Sequence, residues 1–403
     1  MRVLVLTQYF WPENFIINDM VKGLREKGHQ VEVLTGKPNY PEGKIYDGYS
    51  VFGRSRDDYV GIEVHRVPLV PRGRSKGWNL VVNYLSFVLS ASLYAAICVR
   101  RKYDRIFVFQ PSPITAVIPA LVARALYKTP VILLIQDLWP ESLSATGAIR
   151  SQKALSMMER VVRFLLRRVD TILVQSRAFI PKLKEKRLTG RNIFYFPDYA
   201  DDVFTTISDG LREDKLGGLP KGFKILFAGN IGESQDFETI LNAAEMLKDE
   251  MDIQWVIVGD GRRRGWVEKQ VKKRRLARTV HLLGKYPLEE MPAFYASADA
   301  LLVTLKDEEI FALTIPGKVQ SYMACGKPIL AALNGEGGRI IREAGAGYVS
   351  ASGDYQQLAS DARELKSLPR AKLEEMGRQA SNYYQENFRR ELLLDKLDGY
   401  VRA

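Results

Sequence analysis

The chain has 403 residues, of which 46% are hydrophobic and 26% are charged. This composition is typical of a globular protein with two or three domains, so collagen-like, coiled-coil and disordered classes are excluded. The two cysteines lie far apart in sequence, which excludes a secreted disulfide framework and indicates a reducing compartment. The first residues lack the pattern of a signal peptide, so we expect the protein to stay in the cytoplasm.

The excess of positive over negative charge lies entirely in the first half of the chain. Residues 1–200 carry 30 Lys and Arg against 16 Asp and Glu, a net charge of +14, whereas residues 201–403 have a net charge of −2. Such asymmetry favours contact with an anionic surface, and a basic surface that serves only solubility is the alternative. We expect no nucleic acid partner, because the basic residues alternate with long apolar helices and not with exposed aromatic side chains.

Short apolar runs alternate with helical segments in both halves, which predicts parallel α/β sheets. We expect two doubly wound, Rossmann-like domains, 1–196 and 223–385, joined by the linker 197–222 and facing a cleft at the carboxyl ends of their strands. Residues 386–403 are predicted to form a helix that packs back toward the first domain. The predicted strands are Arg2–Leu6, Val31–Leu34, Ile62–Val67, Arg105–Phe109, Val131–Ile135, Thr171–Val174, Ile193–Phe196, Lys224–Ala228, Gln254–Val258, Val280–Leu283, Ala300–Thr304, Pro328–Ala331 and Gly347–Ser350.

An uncharged segment, Trp78–Val99, is long enough to span a bilayer. We exclude spanning, because it would put strands of one sheet on opposite sides of the membrane. A buried core helix and a helix in the lipid interface both remain open. The basic amphipathic stretch Glu159–Arg168 and the net charge favour the membrane surface. One polar stripe runs along the segment and consists of Asn79, Asn83, Ser86 and Ser90. Basic residues flank the segment on both sides: Arg72, Arg74 and Lys76 before it, and Arg100, Arg101 and Lys102 after it.

Five motifs occur in order in the second half. They are FAGNIGESQDFETI from Phe227, VGDG from Val258, LLGKYPLEEMPAFYASADALLVTLKD from Leu282, TIPGKVQSYMACGKPILA from Thr314 and NGEGGRIIREAGAG from Asn334. With these motifs the chain resembles the glycosyltransferase family 4 enzymes of the GT-B fold over essentially its whole length. It is most similar to bacterial transferases of O-antigen and capsule clusters that move N-acetyl-L-fucosamine.

The resemblance implies a nucleotide-sugar site in the second domain. Gly229 and Gly232 let the backbone approach a diphosphate ahead of a helix that starts near Asp236, and a plain turn is the alternative. Lys318 is expected early on a helix, where its ammonium stabilises the leaving diphosphate, and a solvated lysine is the alternative. Further predicted donor contacts are Gly259, Asp260, Lys285, Tyr286, Glu336, Gly337 and Gly338, although packing alone also explains Tyr286 and a structural turn explains the GEGG loop.

The chain departs from the family pattern at several donor positions. Gln320 and Ser321 stand where most members have a ribose-binding glutamate, and Asn230 and Gln235 replace the usual Arg and Lys. Other groups must then meet the charge of the diphosphate, and Lys318, Arg262 and Arg339 are the candidates.

In the first half, Asp137 directly follows a predicted strand and is the candidate catalytic carboxylate that receives or steers the proton of the acceptor hydroxyl. A helix N-cap is the alternative role. The three histidines are expected to be structural, and we expect no metal, because Asp57-Asp58 and Asp201-Asp202 lie in polar loops. Predicted acceptor contacts are Glu13, Asn14, Asn39, Tyr40, Ser112 and Trp139, with a rigid Pro-Asn-Tyr-Pro turn as the alternative for Asn39 and Tyr40.

The resemblance therefore implies a hexosyl or N-acetylhexosaminyl transferase that moves a sugar, such as N-acetyl-L-fucosamine, from a UDP-sugar to a lipid-linked oligosaccharide. It implies retention at the anomeric carbon, a role in O-antigen, capsule or exopolysaccharide synthesis, and peripheral attachment to the inner face of the plasma membrane. No cofactor besides the nucleotide sugar is expected. Two rivals are a sugar-nucleotide epimerase of similar fold and a non-catalytic protein that binds nucleotide sugars.

Overall fold

The computed structural model describes residues 1–73, 77–97, 103–145, 149, 151–186, 188, 192–205 and 218–403. The chain forms two compact units, Met1–Pro197 with Leu393–Ala403, and Asp198–Leu392. The described residues of the predicted linker that follow Pro197 therefore belong to the second unit. The C-terminal residues from Leu393 belong to the first.

The first unit contains one eight-stranded sheet in the order β3-β4-β2-β1-β5-β6-β7-β8. All neighbouring strands are parallel except β3, which is antiparallel to β4 at the edge. The strands and helices are β1 Arg2–Leu6, α1 Ile17–Glu26, β2 Gln30–Gly36, β3 Ser55–Tyr59, β4 Ile62–Val67, α2 Gly77–Ile97, β5 Arg105–Gln110, α3 Ile118–Tyr127, β6 Val131–Ile135, α4 Glu141–Ala145, α5 Gln152–Leu166, β7 Thr171–Val174, α6 Phe179–Glu185 and β8 Asn192–Tyr195.

The second unit contains a six-stranded parallel sheet in the order β11-β10-β9-β12-β13-β14. Counted from the first strand of the unit, this is the 3-2-1-4-5-6 order of the Rossmann fold. Its elements are β9 Phe223–Ala228, α7 Phe237–Met246, β10 Ile253–Val258, α8 Arg264–Lys273, β11 Val280–Gly284, α9 Met291–Ser297, β12 Ala300–Thr304, α10 Glu309–Leu313, α11 Gly317–Ala324, β13 Ile329–Ala332, α12 Glu336–Glu343, β14 Gly347–Ser350, α13 Tyr355–Ser367, α14 Arg370–Asn387 and α15 Arg390–Arg402, whose residues from Leu393 belong to the first unit.

These sheets confirm the predicted fold class of two doubly wound Rossmann-like domains. The inner strands β6 and β10 are buried along their whole length, which is why they are visible in the sequence as continuous apolar runs. In both sheets the strand order reverses beside the first strand. Loops that follow the strands there lie at the carboxyl edge, where open α/β sheets bind ligands.

The edge strand β3 corrects the prediction that Asp57 and Asp58 lie in a polar loop. Its sequence, Ser-Arg-Asp-Asp-Tyr, has no apolar run because an edge strand leaves one side to solvent. Asp57 accepts a hydrogen bond from the buried guanidinium of Arg66, so its carboxylate is not merely solvated.

The predicted long apolar segment forms α2, which is long and apolar enough to cross a membrane by length and composition. Spanning conflicts with the sheet, because β1, before α2, pairs with β5, after it. One residue of the polar stripe points inward: Asn83 is buried, accepts from the side-chain amide of Gln8 at 2.7 Å and donates to the Val70 carbonyl, whereas Asn79 is exposed. Only a third of the residues in the apolar stretch of α2 are buried, so α2 is not a core helix. Of the flanking residues, Arg74, Lys76, Val99, Arg100, Arg101 and Lys102 lie outside the described residues.

The last helix, α15, is tied to the first unit through α1 and the turn after it. His29 Nε2 lies 2.6 Å from a carboxylate oxygen of Asp398, and Lys27 pairs with Asp395. A Cβ on Gly23 would clash with the Leu394 side chain, so α1 and α15 approach closely there. These contacts account for His29 as a structural residue.

Candidate active site

A cavity of about 700 Å³ opens at the carboxyl edge of the sheet in the second unit. Loops after β9, β10 and β11 and the first turns of α11 form its walls. Its lining includes eight of the predicted donor and catalytic residues: Gly229, Asn230, Gly259, Asp260, Lys285, Tyr286, Lys318 and Ser321.

Two glycines allow the loops of this cavity to pack closely. Gly259 has φ +147°, and a Cβ there would lie 1.8 Å from the carbonyl oxygen of Gly229. Gly229 has φ +124°, and a Cβ there would lie 2.9 Å from Cε of Lys318. No side chain fits at either position without displacement, so backbone atoms form this part of the wall.

Lys318 is the cation at the centre of the cavity wall. It lies on the second residue of α11, its ammonium donates to the side-chain oxygen of Gln235, and it lies 4.0 Å from the ring centroid of Phe227. Among the described residues it forms no salt bridge with a carboxylate. Burial lowers the pKa of Lys318 to about 7 because the apolar surroundings disfavour the charged form. An anion bound in the cavity would favour the protonated ammonium.

Other predicted donor residues line the cavity with different partners. Tyr286 packs edge-on against Phe294 at 4.6 Å between ring centroids, and Lys285 is exposed. Asp260 accepts from the amide of Gly261, and Ser321 donates to the carbonyl of Gly317. Gln235 does not line the cavity itself but holds Lys318 through its side-chain oxygen.

Gln320 has a different role from the predicted one. Its side chain is buried, and its amide donates to the backbone carbonyl of Asp198 at 2.8 Å. The residue that replaces the usual ribose-binding glutamate by position thus fixes the chain near the start of the second unit. Gly232 and Arg262 also do not line the cavity, and Arg262 is exposed.

Two residues predicted to bind the donor, Glu336 and Arg339, pair with each other in the GEGG loop. Both oxygens of the buried Glu336 carboxylate accept from the Arg339 guanidinium, at 2.9 and 3.0 Å, and Arg339 also pairs with Glu343. The charge of Arg339 is therefore already neutralised by two carboxylates, and the donor role of Glu336 stays a prediction. The glycines pack tightly, since a Cβ on Gly337 or Gly338 would lie 3.0 Å from Pro316 or Val349.

An apolar part of the cavity was missed in the sequence. Phe204 and Tyr295 stack there with ring centroids 5.2 Å apart, and Leu288 and Met291 complete this wall. Phe204 comes from the segment read as a linker, where one aromatic residue among polar ones gives no pattern. Tyr295 and Met291 lie on α9, whose periodicity predicts only packing.

In the first unit, Asp137 and Ser112 follow the neighbouring strands β6 and β5 and come together. The indole of Trp139 donates to Asp137 at 3.0 Å, and the side chains of Ser142 and Ser112 lie close to this carboxylate. Burial raises the pKa of Asp137 above its ordinary value, against the opposite effect of these three side chains. The alternative N-cap role does not hold, because α4 begins only at Glu141.

Glu13 and Asn39, predicted to touch the acceptor, are buried and bonded to the protein. One Glu13 oxygen accepts from the amides of Asn39 and Tyr40, both at 2.7 Å, and the other accepts from the amide of Phe10 at 3.1 Å. The Asn39 side chain donates to the Lys37 carbonyl and accepts from the amide of Arg72. Both residues hold loops and do not offer hydrogen bonds to a sugar.

Tyr40 and Asn14 remain at the surface. Tyr40 is 37% exposed and packs against Tyr9 and Phe15, with ring centroids 5.7 and 5.3 Å away. This exposed aromatic edge suits a sugar ring. Asn14 is exposed and directly follows the buried Glu13 in the loop after β1.

The other two histidines have protein partners, as the structural role predicted. His281 Nε2 lies 2.6 Å from Gln254. Glu32, Glu63 and His65 bring their ligand atoms together, the one such group of three within the described ranges. His65 lies 3.1 Å from Glu32, which also accepts from the Tyr103 hydroxyl at 2.7 Å, so hydrogen bonds account for this cluster.

The fold and the two sites define a glycosyltransferase of GT-B architecture. Residues 14–197 match the Glycosyl transferase 4-like domain, and residues 213–383 match Glycosyl transferases group 1. The chain belongs to this glycosyltransferase family.

Two relatives are similar over most of the chain. The putative colanic acid biosynthesis glycosyl transferase WcaI of Escherichia coli K12 is 29% identical over 340 residues, covering 81% of this chain and 82% of the relative. The probable glycosyltransferase WbjE of Pseudomonas aeruginosa is 31% identical over 280 residues, covering 67% and 68%. Among solved structures, Anabaena Alr3699/HepE in complex with UDP matches with a TM-score of 0.73 at 16% identity over the full length of both chains, which shows the shared fold.

Proposed function

We propose that this glycosyltransferase moves a sugar from a UDP-sugar to a lipid-linked oligosaccharide during synthesis of a bacterial surface polysaccharide. The observation that carries the proposal is the glycine-walled cavity with Lys318 at its wall and no carboxylate paired with that lysine among the described residues. The names of the relatives support polysaccharide synthesis, since one is assigned to colanic acid. The motif resemblance supports an N-acetylated deoxyhexosamine, such as N-acetyl-L-fucosamine, as the sugar.

In the proposed reaction, the acceptor hydroxyl oxygen bonds to the anomeric carbon as the bond from that carbon to the diphosphate oxygen breaks. The nucleoside diphosphate leaves with the electron pair, and Lys318 with the surrounding backbone amides stabilises its charge. The hydroxyl proton passes to a leaving diphosphate oxygen or to the carboxylate of Asp137. We propose retention by attack from the face of the leaving group, with no metal and no cofactor besides the donor.

We further propose that the enzyme works at the inner face of the plasma membrane, attached through α2. Its outward side carries a row of apolar residues four positions apart, between 43% and 71% exposed: Val81, Leu85, Leu89 and Leu93. Residues at this spacing share one face of a helix. The apolar row supports insertion into the lipid interface, and the net charge of +14 on residues 1–200 supports attraction to anionic headgroups.

The first experiment incubates the protein with UDP-, GDP- and dTDP-sugars, with and without membrane lipid extract, and measures nucleotide release. Acceptor-dependent release from a UDP-sugar is expected, and EDTA should not reduce it. Release without transfer, with epimerised sugar recovered, would support the epimerase. Nucleotide binding without release from any donor in the presence of a competent extract would support a non-catalytic binding protein.

Membrane attachment is tested by sedimentation with phosphatidylglycerol vesicles. The double variant Leu85→Ser/Leu89→Ser should lose most vesicle binding, whereas Met246→Ser/Met251→Ser, which changes two exposed apolar residues of the second unit, should keep it. Binding of the wild type should weaken as salt rises. Equal binding by both double variants would contradict attachment through α2.

A further inference from the structure

Arg72 is a cation that appears in the sequence only as one of the basic residues flanking the long apolar segment. It lies in the loop after β4, and its guanidinium lies 5.0 Å from the ring centroid of Tyr40 and 5.6 Å from that of Tyr9. Its Nε is buried and has no hydrogen-bond partner, and no carboxylate pairs with the side chain in the part of the chain that the structure describes. Arg66, a buried arginine on β4, is instead paired with Asp57.

The position of Arg72 is fixed by buried contacts among three loops. The side-chain oxygen of Asn39 accepts from the Arg72 amide at 3.2 Å, and Glu13 in turn holds the amide of Asn39 at 2.7 Å. The amide of Gly73 donates to the Gly43 carbonyl at 2.9 Å, and a Cβ on Gly43 would lie 1.7 Å from the Gly73 carbonyl oxygen. The guanidinium is therefore presented by a rigid scaffold at the carboxyl edge of the sheet.

Aromatic side chains lie beside this guanidinium and also beside the candidate catalytic carboxylate. Tyr9 stacks on Phe15 at 5.4 Å, and Tyr84 packs against Trp139 at 6.5 Å, which in turn donates to Asp137. Tyr9 and Trp139 are buried, whereas Tyr40 is 37% exposed. Tyr40 is therefore the ring beside Arg72 that a bound ligand can contact.

We propose that Arg72 binds a phosphate oxygen of the lipid-linked acceptor, so that the acceptor diphosphate lies at Arg72 beside the exposed edge of Tyr40. A guanidinium bonds phosphate oxygens through several N–H groups in a planar fork, and a site already held in place adds little ordering cost on binding. Phosphate is the chemistry that this unpaired cation fits, and neutral glycans alone would leave it unpaired. The inference rests on the proposed function, because it assigns the residue that binds the phosphate of the proposed lipid-linked acceptor.

The test measures binding of farnesyl diphosphate by calorimetry at fixed ionic strength, so it does not depend on turnover. Arg72→Gln should weaken binding by at least about tenfold, as loss of a charge-assisted hydrogen bond predicts, and Arg72→Lys should lie between it and the wild type. Arg56→Gln, an exposed arginine of the same unit, is the matched control and should bind like the wild type. Melting temperatures of all variants identify any that fail to fold. If Arg72→Gln fails to fold, Arg72→Lys still tests the proposal.

The remaining arms separate other sources of the same signal. Farnesol, which lacks the diphosphate, should bind equally to the wild type and Arg72→Gln, and phosphatidylglycerol vesicles should bind both proteins equally. Loss of vesicle binding in Arg72→Gln would assign the residue to lipid headgroups and overturn the acceptor assignment. If Arg72→Gln binds farnesyl diphosphate like the wild type but Lys318→Gln does not bind it, the probe lies in the donor cavity. That result would also overturn the assignment of Arg72 to the acceptor diphosphate. If no sugar transfer is found but Arg72 governs diphosphate binding, the proposed reaction fails while this inference stands.

Discussion

The carboxyl edges of the two sheets are built in different ways. In the second unit, glycines such as Gly229 and Gly259 bring backbone to the cavity surface, and one lysine supplies the charge. In the first unit, buried polar side chains such as Glu13 and Asn39 form hydrogen bonds with the backbone of the loops and hold the loops together. A polar residue in a loop after a strand is therefore ambiguous, because it can serve the ligand or the backbone of the loop itself.

The difference has a consequence for substrate binding. A wall of backbone with few side chains can bind a diphosphate common to all donors through amides. A surface of aromatic rings on a rigid polar scaffold can instead be altered residue by residue without changing its support. We therefore expect the donor diphosphate to be recognised mainly by the second unit's glycine loops and the acceptor by exposed side chains of the first, such as Tyr40.

The largest expected effect comes from Asp137→Asn. Loss of the proton-accepting carboxylate should lower kcat by about 100- to 10,000-fold, while the affinity for the donor stays unchanged. Steady-state kinetics with saturating donor, together with nucleotide binding by calorimetry, check both parts. Asp58→Asn, an exposed carboxylate of the same unit, should keep wild-type activity. Full activity of Asp137→Asn would assign the proton to the leaving diphosphate alone.

Glu13→Gln tests whether Glu13 is a structural residue. While the glutamine oxygen accepts from Asn39 and Tyr40, its NH2 group cannot accept from the Phe10 amide, so a buried donor is left unpaired and the free energy of unfolding should fall by about 1–3 kcal/mol. Urea denaturation of Glu13→Gln and of Glu42→Gln, an exposed residue of the loop after β2, measures the difference.

The pH dependence gives a second signature of Glu13. Burial raises the pKa of Glu13 to about 7, above its unfolded value, so the native state binds more protons than the unfolded state between about pH 4.5 and 7. Wild-type stability from this group should fall as the pH rises through that window, and Glu13→Gln should lack that slope. A variant as stable as the wild type, with reduced acceptor affinity, would return Glu13 to the acceptor site.

Lys318 should make nucleotide binding depend on pH. Its pKa in the free protein is about 7, and a diphosphate favours the protonated form, so above pH 7 binding takes up a proton and the affinity for UDP falls up to about tenfold per pH unit. Calorimetry at pH 8 in two buffers of different ionisation enthalpy should detect this uptake. Lys318→Gln should abolish it, whereas Lys285→Gln, an exposed lysine of the same cavity, should not. Equal uptake in Lys318→Gln would assign the proton to another group.

The sequence predicted the fold well because buried parallel strands are continuous apolar runs. It missed β3, since one side of an edge strand faces solvent and its charged residues resemble a loop. In the second unit, glycine motifs located the cavity because a close backbone approach excludes other residues. The pairing of Glu336 with Arg339 was not predictable, because spacing places both on one helix but does not say whether they bond to each other or to a ligand. Phe204 was missed, and Arg72 was predicted only as a basic residue flanking α2, for a related reason, since the contacts of both side chains join residues distant in sequence.

The smallest expected effect is that of Arg262→Gln, a substitution at a residue predicted to meet the charge of the diphosphate. Arg262 is exposed and does not line the cavity, so UDP affinity should change by less than about twofold, as for other surface substitutions. Calorimetry of Lys318→Gln under the same conditions measures how much UDP affinity is lost when a true diphosphate contact is removed. A tenfold loss in Arg262→Gln would mean that this flexible side chain reaches the bound nucleotide. The charge of the diphosphate would then be shared between two cations, and the backbone wall alone would not explain how the second unit recognises it.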